Sequence, residues 1–393
     1  MTHIYIIGSR GLPVGYSGYE TFVLKLTEYS KGFADIKYHV ACRDDGENGS
    51  EYNNAVRFYV KTLPIGNAKA IPYDVQAFKY ALKDIKKNGY NNAWIYILAC
   101  RIGPFMKSLC SKAKKLGVRV AVNPDGHEWM RGKWNKWIKK YWKYSEKFMV
   151  KHSDLMICDS TEMERYIKEE YKEYNPKTCY LSYGSDENVE FCSDEQIEEW
   201  YNNHGLRANE YYLIVGRFIP ENNYKLMISE FLRSKTEKSL VLITDVQNND
   251  FYSELKETGF EKDPRVRFVG TVFDRPLINR IRKQAFMYFH GHEVGGTNPS
   301  LLEAMVCECP ICAVDVAFSR EVLGENGLYF QKTEGSLCNI INKCEKTDQE
   351  SIIEIGLRNA NRAHQKYDWN TIASKYTQLW KCSKRKNLVK DRA

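Results

Sequence analysis

His290–Pro310 reads HGHEVGGTNPSLLEAMVCECP. Phe286, Tyr288 and Phe289 just before it favour a strand. Gly295 and Gly296 lack a Cβ, so the backbone can turn sharply there and admit a ligand closely. Asn298 is a good helix cap, and Pro299 suits the first helical position, where no amide hydrogen is needed. A helix then runs from Ser300 through Met305. Its free amides and positive dipole end, beside Thr297 and the two glycines, favour an anion such as phosphate. Glu303 lies just over one turn in, placed to accept hydrogen bonds from a sugar hydroxyl near that phosphate. A plain capped helix after a loop is the simpler alternative. Glu303 and an equally glycine-rich N-terminus favour a nucleotide-sugar site instead.

The stretch resembles the C-terminal donor-binding motif of the GT-B glycosyltransferases of family 4. Their usual form has two glutamates flanking seven residues, then Ala-Met-Ala-Cys-Gly-x-Pro-Val. Glu303-Ala304-Met305-Val306-Cys307-Glu308-Cys309-Pro310-Ile311 matches the second half. The first glutamate falls at Gly295 and is missing; Glu293 comes two residues too early. The wording HGHxVGGTNPSLLEAM is closer to one branch, the rhamnosyltransferases that build bacterial capsule and cell-wall polysaccharides.

The chain has 393 residues, which suits two domains better than one core. Its formal net charge of +8 is a mild basic excess. No run of 18 apolar residues predicts a membrane span. MTHIYIIGSRG is a short strand and glycine turn, without a signal peptide's charged start and longer apolar run, so a cytoplasmic location is expected. The 12 cysteines are scattered, several in apolar runs, which fits buried thiols in a reducing compartment. Cys307, Cys309 and Cys312 cluster, but no second pair accompanies them and a helix sends 307 and 309 to different faces. No metal site is expected.

Ile4-Tyr-Ile-Ile7 reads as a buried first strand, followed by a turn with glycines at 8, 11, 15 and 18 and a helix from about Phe22 to Ser30. Such a β-to-α turn is a common phosphate cradle, with Gly15 and Gly18 as donor-binding candidates. The spacing is not GxGxxG, and Asp44 and Asp45 come too late for a dinucleotide fold's ribose acid. The opening resembles the rhamnosyltransferase branch, which reads IGxRGxPxxYxGxET. Trp94–Ala99 and Val118–Val122 read as further strands, with helices before each. Asn123-Pro-Asp125-Gly-His127-Glu128-Trp129 follows the second, beyond a strand's carboxyl end, where ligands bind in such sheets. Asp125, His127 and Glu128 are therefore acceptor-side and catalytic candidates. The branch has a similar Asp-Gly-x-Glu-Trp, and other family 4 enzymes keep a histidine near here that contacts the donor sugar.

Arg131 to Lys151 reads as one basic, aromatic helix, with eight Lys or Arg and one Glu. Lys133, Lys136, Lys140, Lys143 and Lys147 share a stripe, and Trp134, Trp137, Tyr141 and Phe148 line the next. That make-up suits an anionic membrane surface or a solvated helix resting on a core. Nucleic acid is not expected as a partner, because no second basic cluster stands beside it.

Thr161–Tyr171 is predicted as a helix and Tyr180–Asp186 as the interdomain linker. Tyr211-Tyr-Leu-Ile-Val-Gly216-Arg217 opens the second domain. Family 4 enzymes typically read Val-Gly-Arg and then Glu-Lys-Asn, with Arg and Lys on the diphosphate. Here Arg217 is kept, while Asn222 replaces the lysine and Lys225 is a possible stand-in. A last helix from about Asn370 to Trp380 precedes a basic tail.

The expectation is an α/β, GT-B fold: two Rossmann-like, doubly wound parallel-sheet domains facing a cleft. An acceptor-side domain spans 1–180, a donor-binding domain 181–365, and a helix and tail at 366–393 cross back to the first. The resemblance implies a retaining, metal-free transferase that needs no cofactor. It would move L-rhamnose from dTDP-rhamnose to a lipid-linked saccharide at the inner face of the cytoplasmic membrane. Arg217 and the amides near Gly296–Asn298 would stabilise the leaving diphosphate, with Gly216, Asn222, Gly295 and Thr297 lining the donor and Glu303 holding the ribose. A UDP-sugar donor, a GT-B nucleotide-sugar epimerase and a non-enzymatic nucleotide- or polysaccharide-binding protein are the other readings.

Overall fold

A computed structural model describes residues 1–13, 18–43, 49–62, 69–132 and 134–382. The chain forms two compact units. One comprises Met1–Met130, Trp134–Tyr183 and Trp369–Ala393, the other Arg131–Lys133 and Gly184–Asp368.

Among its described residues the first unit is built on eight strands: β1 (Thr2–Ile7), β2 (Ile36–Arg43), β3 (Glu51–Tyr52), β4 (Ala55–Val60), β5 (Ala93–Leu98), β6 (Arg119–Asn123), β7 (Leu155–Cys158) and β8 (Thr178–Tyr180). Their spatial order is β3-β4-β2-β1-β5-β6-β7-β8. All pairs are parallel except β3 with β4. Every residue of β1, β5 and β7 is buried, as continuous apolar runs in a sheet covered on both faces should be. The chain runs outward in opposite senses from β1 and β5, so their carboxyl ends form the switch point where such sheets bind ligands.

The C-terminal helix Trp369–Lys381 belongs to this first unit. Trp380 is fully buried edge-on to Trp94, centroids 5.3 Å apart, and Trp94 Nε1 donates to the Trp380 carbonyl at 3.3 Å. The helix Gln349–Tyr367 before it was not evident from sequence. The basic tail beyond Cys382, Gly15, Lys133, Asp44 and Asp45 lie outside the described residues.

The second unit has six strands, all parallel: β9 (Tyr211–Val215), β10 (Ser239–Ile243), β11 (Val266–Phe268), β12 (Met287–His290), β13 (Ile311–Val314) and β14 (Leu328–Phe330), in the order β11-β10-β9-β12-β13-β14. Its switch point lies between β9 and β12, held in register by Leu213 against Tyr288. Both sheets are thus doubly wound, and the α/β expectation holds.

The predicted helix Arg131–Lys151 is shorter at its start. A short 3-10 turn covers Glu128–Met130, and the α-helix begins at Lys136 and ends at His152. Asn135 sets the start, its side chain accepting from the amides of Trp137 and Ile138. The aromatic stripe also divides. Trp137 is 78% exposed, whereas the Tyr141 hydroxyl turns inward to donate to the Arg101 carbonyl at 2.7 Å. The lysine stripe divides in the same way. Lys143 leaves the solvated face to lie 4.7 to 5.1 Å from the ring centroids of Trp129, Tyr166 and Tyr171, paired with Glu170 at 2.7 Å.

Candidate functional site

The second unit's switch point gathers two loops. The loop after β9 carries Gly216, Arg217 and Asn222; the loop after β12 carries His292 to Asn298. The helix Pro299–Val306 leaves the second loop with Asn298 as its cap, the Asn298 side chain accepting from the Ser300 amide at 2.9 Å. Pro299 stands in the first turn. Gly295 has φ +151, a region that side-chain-bearing residues rarely adopt. Thr297 is buried, and Gly296 lines a shallow hollow partly open to solvent. His290, His292, Glu293, Gly295, Asn298 and Phe318 share its lining.

The two loops are stitched together. Asn222 Nδ2 donates to the Arg217 carbonyl at 2.7 Å, and Asn222 Oδ1 lies 2.8 Å from His292 Nδ1. Asn223 Nδ2 donates to the Gly291 carbonyl at 2.8 Å, and the Glu293 amide to the Glu221 carbonyl at 3.2 Å. Gly291 has to be glycine here, since a Cβ would lie 2.2 Å from the Asn222 carbonyl oxygen. A Cβ on Gly216 would meet only the end of the Asn222 side chain, at 3.1 Å from Nδ2, a milder crowding. The amide orientation of Asn222 assigns the proton of His292 to Nδ1. Burial, then the charges of Arg131 and Arg217, push the His292 pKa down to about 3. Its ring is therefore neutral at physiological pH. Burial lowers His290 to about 3 as well.

Sequence spacing assigned Asn222 only the place of a missing lysine. In the structure it is a tie between loops, and Arg217 beside it is exposed. Lys225, the stand-in cation of the sequence reading, is exposed. Its Nζ is paired with Glu257 at 2.8 Å on the unit's surface. Glu293 lines the hollow even though it precedes the expected glutamate position, and pairs with Lys332 at 2.6 Å.

Glu303 is half-exposed and accepts from Arg282 Nη2 at 2.6 Å. Arg282 lies in the last turn of the helix Arg275–Lys283 and is only 3% exposed. Burial opposes its charge, and Glu303 leads the groups that hold the charge on. Beside this pair, the Tyr288 hydroxyl donates to the Val215 carbonyl at 3.0 Å and contacts Ser300 Oγ at 3.0 Å. Nothing in the sequence near Glu303 announces Arg282, which lies in a run of basic residues resembling a solvated helix face.

In the first unit, Gly8 and Gly11 have φ of +101 and +109. A Cβ on Gly8 would come 2.4 Å from the Leu98 carbonyl oxygen. Glu20 is buried and accepts from the Arg10 amide at 2.6 Å, so it braces the glycine turn. Gly18 is exposed and begins the helix Gly18–Tyr29. Arg101 links the two central strands' ends, donating to the Gly8 carbonyl at 2.8 Å and pairing with buried Asp74 at 3.1 Å. Asp74 and Arg101 are 27 residues apart, so no local pattern announces the pair.

Asp125 follows β6 with φ +62, its amide held by Asn123 Oδ1 at 2.7 Å. Glu128 accepts from Trp134 Nε1 at 3.0 Å. The His127 ring meets Tyr166 edge-on, centroids 4.4 Å apart. Burial, then Lys143, lowers its pKa. Asp125, His127 and Glu128 thus share one loop of the first unit, while the remaining described candidates apart from Gly18 share the second unit's switch point. Among the described residues no group of three His, Cys, Asp or Glu is placed to hold a metal ion.

No curated protein matches the sequence significantly. Residues 1–186 match a domain of unknown function (DUF1972), and residues 209–345 match the family described as Glycosyl transferases group 1. Among solved structures, a sucrose-phosphate synthase from Thermosynechococcus elongatus is similar with TM-score 0.78 and 17% identity, covering 97% of this chain and 98% of that one. HepE of Anabaena, crystallised with UDP-glucose, gives 0.70 and 16%, covering 96% and 99%. A glycosyltransferase from Rickettsia africae gives 0.70 and 12%, covering 100% and 99%. These identities speak for the fold, and the family match speaks for the second unit. The chain therefore has the GT-B glycosyltransferase fold, and its residues 209–345 are similar to the glycosyl transferases group 1 family.

Proposed function

We propose that the protein transfers a sugar, L-rhamnose from dTDP-rhamnose in the reading its motifs favour, to a lipid-linked saccharide. The observation that carries the donor half is the switch point of the second unit. There an exposed arginine, a capped helix N-terminus and a carboxylate one turn in are held by a stitched pair of loops. Arg217 binds phosphate oxygens with a charge that does not titrate away. The amides near Gly296–Asn298 add the helix-end field, and preorganised groups of this kind stabilise a leaving diphosphate. The released phosphate oxygen then takes the acceptor's proton on the same face, which retains configuration. Asp125, His127 and Glu128 are assigned to the acceptor side, and Glu303 to the ribose. A UDP-sugar donor stays compatible, since the HepE structure contains UDP-glucose. Thermal stabilisation by a panel of nucleoside diphosphates and their sugars tests this reading. A ligand at a hundred times its Kd adds about 2.7 kcal/mol. If no nucleotide stabilises the protein, the proposal fails.

The acceptor half includes peripheral docking to an anionic membrane. Among the described residues no helix is long and apolar enough to cross a membrane. The helix Lys136–His152 nevertheless turns Trp137 and Tyr144 outward, 78% and 52% exposed, beside exposed Lys136, Lys140, Lys147 and Lys151. Large aromatics among lysines favour an interfacial surface. An epimerase would act on donor alone and has no use for that face.

A further inference from the structure

We infer that Arg282 is a positioning residue that sets which oxygen of Glu303 the ligand meets. The inference rests on the donor-site reading above. A guanidinium is rarely buried, because removing it from water is costly unless it is paired and hydrogen-bonded. Arg282 is 3% exposed, and its Nε has no hydrogen-bond partner. Its remaining contact, to Asn279 on its own helix, is long at 3.5 Å. The short bond to Glu303 Oε2 at 2.6 Å is therefore its principal compensation. A pair made only for stability would be better replaced by apolar side chains.

The geometry shows a use for the pair. Glu303 is 42% exposed, so one oxygen is engaged by a fixed guanidinium while the carboxylate still faces solvent. The helix that carries it is anchored on its other side, since Ser300 touches the Tyr288 hydroxyl and donates to the Val215 carbonyl. Glu303 is five residues beyond the cap Asn298, about 7.5 Å along the helix axis at 1.5 Å per residue. That span suits a ribose whose phosphates occupy the helix N-terminus. Arg282 holds Oε2, leaving Oε1 to accept from a ribose hydroxyl. A carboxylate free to rotate would lose orientation on each binding event, so its selectivity for the hydroxyl would fall.

The test compares two ligands on each variant by calorimetry. The ligands are whichever of UDP or dTDP wild type binds more tightly, and its 3′-deoxy analogue. Loss of a hydrogen bond to a charged group should weaken wild-type binding roughly 10- to 100-fold for the analogue. Arg282→Met should reduce that ratio to about threefold or less, leave affinity for the 3′-deoxy ligand near wild type, and match Glu303→Gln. Arg282→Lys, which keeps the charge without the planar fork, should restore part of the ratio. It also serves as the test if Arg282→Met does not fold. A wild-type ratio in either Arg282 variant overturns the inference, as does an equal loss of affinity for both ligands. If wild type itself binds neither diphosphate, the donor-site reading has failed, which is a different result.

Discussion

Asn222 Oδ1 lies 2.8 Å from His292 Nδ1, joining the loop after β9 to the loop after β12. The same amide donates to the Arg217 carbonyl, so one side chain fixes the backbone of the cation and the ring of the histidine. Asn222→Ala should remove both bonds and leave a part-buried imidazole N–H unsatisfied. We expect a loss of about 1–3 kcal/mol in stability and a raised KM for the donor. An unchanged donor KM in steady-state assays would show that the stitch does not organise the site.

Arg217 gives its carbonyl to the stitch while the residue itself is exposed. Arg217→Ala should weaken nucleoside diphosphate binding by about 2–4 kcal/mol, as expected when a desolvated charge pair with phosphate is lost. Calorimetry that finds the same affinity in both proteins removes Arg217 from the site.

Membrane docking is best tested on the face the structure exposes. Lys143 is unsuitable, because it is packed among Trp129, Tyr166 and Tyr171 and paired with Glu170. Lys136, Lys140 and Lys151 changed together to Glu, with Trp137→Ala, should abolish sedimentation with vesicles containing anionic lipid. Each basic residue near such a surface contributes about 1 kcal/mol. Wild-type binding should also be released by high salt. Equal sedimentation of the variant and wild type would assign lipid contact to another surface.

Acid stability offers a fourth check. His3 and His39 are buried in the first unit with their ring nitrogens 3.0 Å apart. Burial, then the neighbouring imidazole of His3, lowers His39 to about 4. Because the unfolded value near 6.5 is higher, the unfolded chain binds the extra proton first as pH falls. The stability His39 contributes is thus complete above about pH 6.5 and lost on the way down to about pH 4. For this group the loss is about 3 kcal/mol. Buried His290 adds in the same direction. Melting temperature against pH should fall across that window, and His39→Gln should flatten part of the fall. An equally steep profile in the variant rules His39 out.

The sequence by itself determined what depends on neighbours along the chain. Continuous apolar runs specified strands buried on both faces, and Asn298 with Pro299 specified where a helix begins. Glycines at 8, 11 and 295 marked backbone conformations that a side chain resists. Only tertiary structure decided relations between distant segments. Arg282 and Glu303 are 21 residues apart, and Asn222 and His292 are 70 apart. Their pairing follows from which helix packs on which and which loops meet at the β9–β12 switch point. Periodicity placed Lys143 on a solvated stripe, but the rings of Trp129, Tyr166 and Tyr171 drew it inward. Helical spacing fixes the direction in which a side chain leaves its helix, and the packed neighbours decide whether it meets water, a ring or a charge.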